Sequence, residues 1–337
     1  MARPRKISVA FQTNKLLSAY GELAAAAESY VFDSVSVYND MLYQPAWLPL
    51  LEMAHATQRV QLGPAAVNPF TSHPINIAGN LALLDEASSG RAYLGLARGA
   101  WLDYVGLTPQ QPITAIRETF ACVKHLLLQS TEPFMGQVFQ LAGGDSLRLE
   151  IPRYEIPFLL GTWGSEIMRA CIDFVDEIKL GGTANPDIVR LVRAELDSLA
   201  RTAERNPHEI GLVVDSVTVV SNDAVEAREK ARLEVALYLP VVARLDRSLN
   251  LEDELLDKLA AAAVRHDYAA AARLISDELL GRFAFSETPG QVAMQAARFF
   301  EAGASRVEFG TPHGLSEQEG LRLLGEEILP ALRQTLG

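Results

Sequence analysis

The chain has 337 residues, 49% of them apolar, which is enough for one large α/β barrel or two ordinary domains and excludes general disorder. Lys and Arg number 30 against 42 Asp and Glu, a net charge of -12 that argues against nucleic acid or an anionic membrane as the main partner. The two cysteines, Cys122 and Cys171, both fall in helical patterns and read as small core residues, not as a disulfide or a metal cluster. The basic N-terminus lacks the apolar centre of a signal peptide, and no window reaches the ~18 apolar residues of a membrane span. A cytoplasmic location is the expectation.

In chain order, Ile7 to Phe11 is a short apolar run and Ser18 to Tyr30 an Ala-rich helix. Phe32 to Val37 is the next run, and Pro45 to Gln58 reads as helix with its proline near the first turn. Val60 to Leu62 opens a third strand. The helix Pro74 to Ala87 follows, with Gly90 placed to end it. Ala92 to Ala97 is the fourth strand and Pro112 to Leu128 the helix after it. Residues 133 to 149 alternate weakly around Gly143 and Gly144 and suggest an inserted hairpin.

Strand and helix then alternate again: Pro157 to Leu160, Ser165 to Phe174, Glu177 to Leu180, and Pro186 to Ala203 behind Asn185 as cap. Ile210 to Val220 is a strong β run. Asp223 caps a helical region reaching about Leu280, broken at Pro240 and too long for one crossover, so residues near 240 to 285 read as a second insertion beside that near 131 to 150. A helix from Thr288-Pro289, a last strand Arg306 to Phe309 and a last helix Ser316 to Leu336 complete the chain. Eight strands with short connections and no dividing linker predict a single α/β domain over 1 to 337, a closed (β/α)8 TIM barrel with insertions. A doubly wound open sheet is the alternative.

Barrel enzymes take their ligands at the carboxyl ends of the strands. Those ends are rich in small residues here, which suits close approach of a flat or phosphorylated ligand to the backbone. Gly161-Thr162-Trp163-Gly164-Ser165 leaves a strand and enters a helix, so its N–H groups are placed to face an anion, or it is a plain turn with a serine cap. Asp40, beside Tyr38 and Tyr43, is a candidate hydrogen-bond acceptor or general acid. His73 and His313 fall in carboxyl-end loops and are weaker candidates for proton transfer, His73 also serving as a simple helix start. Asp85 and Glu86 read as structural, and Asp103 as a partner for Arg98 or part of the pocket entrance. Walker, GxGxxG, HExxH and GxSxG motifs are missing and no histidines have metal-ligand spacing, so no metal is expected.

The stretch from Gly63 to Gly99, GPAAVNPFTSHPINIAGNLALLDEASSGRAYLGLARG, resembles the bacterial-luciferase-like superfamily, and within it the branch that uses the deazaflavin coenzyme F-420, such as the methylenetetrahydromethanopterin reductases. GTWGSEIMRA, FAFSETPGQV and VEFGTPHGLSEQEGLRLLGEEI extend the similarity along the chain. The resemblance implies a barrel binding the tricyclic ring at its carboxyl end, against a bulge with a non-prolyl cis peptide matching Ala65-Ala66. It assigns the coenzyme to Asn39, Ala65, Ala66, Val67, Asn68, Arg98 and Gly99, and its phosphate to Gly161, Thr162, Trp163, Gly164 and Ser165. Relatives carry a Glu in the first strand where this chain has Ala10 or nearby Gln12, and an Asp-His type pair where it has Asn39-Asp40. The expected activity is F-420-dependent hydride transfer to or from a small organic substrate, with Asp40, Tyr38 and His73 as candidates for proton delivery. An FMN-dependent monooxygenase and a catalytically silent flavin-binding relative are the alternatives. A homodimer through helices Trp47 to Ala56 and Ile75 to Leu84 is also implied.

Overall fold

The computed structural model describes residues 4–336. Eight parallel strands form the barrel: β1 (Lys6–Phe11), β2 (Ser34–Val37), β3 (Gln61–Pro64), β4 (Leu94–Ala97), β5 (Phe158–Gly161), β6 (Glu177–Gly181), β7 (Gly211–Val220) and β8 (Arg306–Gly314). Hydrogen bonding runs β3-β2-β1-β8-β7-β6-β5-β4. The remaining seam, between β3 and β4, is closed by bridges at Leu62 with Ala92 and at Val67 with Leu96. The architecture is a (β/α)8 barrel, and the open sheet is excluded because closure leaves no edge. A short segment, Ala284–Phe285, adds a parallel pairing outside the ring on β7.

Backbone crowding dictates the seam. A Cβ on Gly63 would lie 2.3 Å from the Tyr93 carbonyl oxygen, and one on Gly95 2.1 Å from that of Pro64, so only glycine lets the two strands approach. The strands are buried on both faces, the pattern of a parallel sheet covered by helices. Outside the ring lie α1 (Leu17–Ser29), α2 (Trp47–Ala56), α3 (Pro74–Ala87), α4 (Pro112–Leu127), α5 (Ser165–Cys171) and α6 (Pro186–Thr202). Asn185 caps α6 by accepting from the Asp187 N–H, as its position predicts.

The segment after β7 is not one broken helix but five: α7 (Ala224–Val235), α8 (Leu239–Leu245), α9 (Asp253–Val264), α10 (Tyr268–Ala272) and α11 (Asp277–Leu280). Pro240 opens α8, where its missing N–H costs nothing. These helices bury a cluster of their own around Leu239, Leu259 and Phe283. α12 (Pro289–Glu301) follows from a Thr288–Gln291 capping box. The last expected helix divides into α13 (Glu317–Leu323), a π turn at Leu324–Ile328 and α14 (Leu329–Leu336).

The hairpin between α4 and β5 exists, but its turn is misplaced by the sequence pattern. Its strands are Phe134–Met135 and Gln140–Leu141, so the turn is at 136–139, not at Gly143 and Gly144. The cause is the buried Glu118 on α4, whose carboxylate accepts the N–H groups of Gln137, Val138 and Phe139. Both cysteines are buried and unpaired, with burial pushing Cys122 up to about 11 and Cys171 up to about 12. Among the described residues no helix is long and apolar enough to cross a membrane, and no group of three or more His, Cys, Asp or Glu is placed to hold a metal.

Candidate active site

A cavity of about 750 Å³ opens at the carboxyl end of the barrel, lined from β1, β2, β6, β7 and β8 and, on one side, by α7 and α8. Its size suits a small-molecule or cofactor site. Two residues singled out in the sequence meet there. Asp40 accepts from the Gln12 amide at 2.9 Å through Oδ2, and burial raises its pKa against the opposing pull of Gln12 and Lys179. Tyr38 donates to Asp215 Oδ1 at 2.9 Å, and burial, then the Asp215 carboxylate, push its hydroxyl well above the usual tyrosine range.

Beneath Tyr38 lies a charged layer that loop-based reading of the sequence misses entirely. Lys179 on β6 contacts Glu308 on β8 and stands 3.1 Å from Asp215 on β7, with its ammonium 5.3 Å from the centre of the Tyr38 ring. Glu308 also accepts from Ser8 at 3.0 Å and from Ser36, while Ser36 and Tyr93 share a 2.6 Å hydrogen bond. Arg306 pairs with Glu177 at 2.8 Å and donates to Ser34 at 2.7 Å. Lys179, Asp215, Arg306 and Glu308 are all at least nine-tenths buried.

Burial alone would neutralise these acids, so the cations decide. Lys179 and then Arg306 outweigh burial at Glu308 and hold its carboxyl down to about 2. At Asp215 burial wins, helped by the Glu308 charge, and the carboxyl stays raised despite Lys179. The signal in the sequence is a charge set among apolar neighbours inside a strand: Lys179 between Ile178 and Leu180, and Asp215 after Val213 and Val214.

The remaining candidates have other surroundings. The Ala65-Ala66 peptide is cis, and both residues are half-buried at the end of β3. Val67 is buried in the barrel seam, its N–H bound to the Gly95 carbonyl at 3.0 Å. Asn68 is a buried turn brace whose Oδ1 accepts from the N–H groups of Phe70 and Thr71. Asn39 braces the start of α2 by accepting from Ala46 N–H at 3.0 Å, so its side chain serves the loop and not the cavity wall. Arg98 is exposed next to Gly99, and Asp103 does not pair with it. Ala100 and Trp101, just beyond, line the cavity instead.

At the fifth strand end Gly164, not Ser165, is the helix cap, and its N–H is already bound to Thr162 Oγ1 at 3.0 Å. Trp163 ties this turn to the cavity wall by donating to the Gly181 carbonyl at 3.2 Å. His73 caps α3 by accepting from Ile75 N–H, packs edge-on against Phe139 and is not among the residues that line the cavity. His313 is not in a loop either. It is buried within β8, contacts the Ala10 carbonyl at 2.9 Å through Nε2, and burial takes its pKa down to about 3, so it stays neutral. Asp85 is structural as expected, receiving Arg153 at 2.6 Å and the Ala92 N–H at 3.2 Å.

A sequence model described as luciferase-like monooxygenase matches residues 6–306. The chain belongs to this family. Over 316 residues it is 26% identical to the 5,10-methylenetetrahydromethanopterin reductase of Methanopyrus kandleri, covering 88% of this chain and 89% of that one. Over 335 residues it is 25% identical to the F-420-dependent glucose-6-phosphate dehydrogenase of Nakamurella multipartita, covering 95% and 94%. Among solved structures, the coenzyme F-420-dependent tetrahydromethanopterin reductase from Methanopyrus kandleri superposes with a TM-score of 0.87 at 22% identity, over 98% of this chain and 99% of that one. An F-420-dependent secondary alcohol dehydrogenase, solved with an F-420-acetone adduct, gives 0.80 at 18% identity, over 98% and 99%. Both likenesses are of fold.

Proposed function

We propose that this chain, taken as one domain over residues 1–337, is an F-420-dependent oxidoreductase that moves a hydride between the deazaflavin and a carbon of a small organic substrate. The observation that carries the reading is the pairing of Asp40 and Tyr38 on one cavity wall, in a chain whose full-length relatives are named for F-420. The residues present fit such a group. Gly181 and Gly182 line the cavity without side-chain bulk, as a flat ring requires, while Gly161 and the Ala65-Ala66 bulge stand at other strand ends outside its lining. When bound, the coenzyme supplies the hydride-carrying ring carbon. The turn from Gly161 to Ser165 is assigned to its phosphate and Arg98-Gly99 to its ring or tail.

The chain's own residues hold the substrate and its proton. Asp40 has one carboxylate oxygen on Gln12 and the other free for the cavity, and its raised pKa suits exchange of a proton with a substrate oxygen. Tyr38 keeps its proton on Asp215 and offers its oxygen lone pair to a substrate hydroxyl, fixing orientation. Asp40 is therefore the acid–base candidate and Tyr38 the orienting group. Leu48, Ile75 and Leu83, exposed on α2 and α3, support a homodimer through these helices.

A second reading, less supported by relatives named for F-420, is an FMN-dependent monooxygenase, after the family's description. One anaerobic experiment separates the two: equilibrium titration with F-420 and with FMN, read by fluorescence quenching. Micromolar binding of F-420 with weak FMN binding is expected. Tight FMN with no F-420 binding sinks the first reading. A coenzyme that binds yet stays unreduced across a broad panel of alcohols supports a catalytically silent relative.

A further inference from the structure

The cavity wall has an unequal set of charges. Asp40, Asp215, Glu234 and Glu317 line it, against Lys15 alone. Lys15 is already committed, 3.1 Å from Glu317 and 2.8 Å from the Gln12 carbonyl oxygen it donates to. The next cation below, Lys179, is held between Asp215 and Glu308. Nothing on the wall is left to neutralise an incoming anion. A second, independent observation points to a ligand: Tyr238, on the α7–α8 side, lines the cavity, and its hydroxyl is buried with no hydrogen-bond partner. A buried hydroxyl without a partner carries a desolvation cost that a ligand oxygen or nitrogen would relieve.

We infer that the reacting end of the substrate is an uncharged or cationic group carrying hydroxyl or amine hydrogens, received by Asp40, the Tyr38–Asp215 pair and Tyr238, and that phosphate esters are rejected there. The inference rests on the oxidoreductase reading for its catalytic meaning, but the charge preference is a property of the wall itself. Acceptors outnumber donors around the site, so a molecule bringing its own N–H or O–H groups satisfies them, whereas a phosphate meets like charge at short range. The preference sets this chain apart from the relative named for glucose 6-phosphate.

The test uses three compounds on one ring frame, cyclohexanol, aminocyclohexanol and cyclohexyl phosphate, added to the full chain without coenzyme at low ionic strength. Thermal unfolding reads binding to the native state. The alcohol and the ammonium compound are expected to raise the midpoint, and the phosphate ester to bind at least ~10-fold more weakly than the ammonium compound, a ratio that shrinks with added salt. Glu234→Lys, on the α7 side of the cavity wall, is expected to strengthen binding of the ester. Asp40→Asn is expected to weaken that of the ammonium compound. Equal or tighter binding of cyclohexyl phosphate by the parent chain, or no stabilisation by aminocyclohexanol, overturns the inference. F-420 binding is measured separately by fluorescence: its failure alone removes the oxidoreductase reading and leaves the charge preference standing.

Discussion

Lys179→Met removes the ammonium that sits between two buried carboxylates. Glu308 has no exposed surface, and its pKa is lowered from the usual 4.5 to about 2 by Lys179 first and Arg306 second. At ~1.4 kcal/mol for each tenfold change in proton affinity, that depression corresponds to roughly 3 kcal/mol of stability at neutral pH. Because the folded value is depressed, this stability is present above about pH 4.5 and is lost as pH falls toward about 2. Asp215 acts in the opposite sense: its folded pKa is raised, so its contribution is present at low pH and is lost as pH rises through the folded value.

With methionine in place, the carboxylates keep their burial and lose their nearest cation. Breaking a buried pair by removing one partner typically costs about 3–5 kcal/mol, and that is the loss expected near neutral pH. Both acids are then expected to titrate above their unfolded values, so the variant should lose more stability than the parent chain as pH rises from about 5 to about 8. Urea unfolding midpoints of the two proteins, compared across that range, provide the assay. A loss under about 1 kcal/mol, or a variant whose stability is flat or rises with pH, refutes the assignment of Lys179 as the charge that holds this layer together.

Three further outcomes are expected. Gly95→Ala drives a methyl into the Pro64 carbonyl oxygen, so it should cost at least about 2 kcal/mol and weaken F-420 binding at the adjacent bulge, checked by urea unfolding and fluorescence titration; unchanged values in both would contradict the seam geometry. Asp85→Asn leaves the Arg153 guanidinium without its carboxylate and should cost about 3 kcal/mol in urea unfolding, with F-420 affinity unchanged. Asp40→Asn should lower turnover of any alcohol oxidised by the F-420-loaded enzyme by about 100-fold or more and remove the acid limb of its pH profile, without altering F-420 affinity; a loss below about threefold excludes acid–base work by this residue.

What was legible in the sequence follows from how each feature is encoded. Buried parallel strands are continuous apolar runs, so all eight were visible, as were helices marked by Asn185, Asp223 or Thr288-Pro289 at their starts. Local signals failed where a distant side chain settles the backbone. Glycines 143 and 144 look like a hairpin turn, yet Glu118 on a preceding helix gathers three N–H groups and makes the turn elsewhere. His73 looks like a site residue by its position at a strand end, but its ring nitrogen meets the nearest free N–H of its own helix.

The interior layer was hidden for a stronger reason: it exists only once the ring closes. Lys179, Asp215 and Glu308 lie on three strands and meet because the register sets Glu308 opposite Asp215 and Gly181 opposite Asp215, with Lys179 one inward position below. The first strand contributes no acid to this layer. Ala10 has no carboxylate to offer, and its carbonyl is occupied by the buried His313, but β1 lies beside β8, and Glu308 reaches the same interior, bonded to Ser8. In a closed barrel an inward carboxylate from one strand serves the whole interior layer, so the layer keeps its negative charge with no acid on β1. Glu308 is fully covered, whereas Asp215 on β7 and Asp40 after β2 reach the cavity wall, which they share with Glu234 and Glu317.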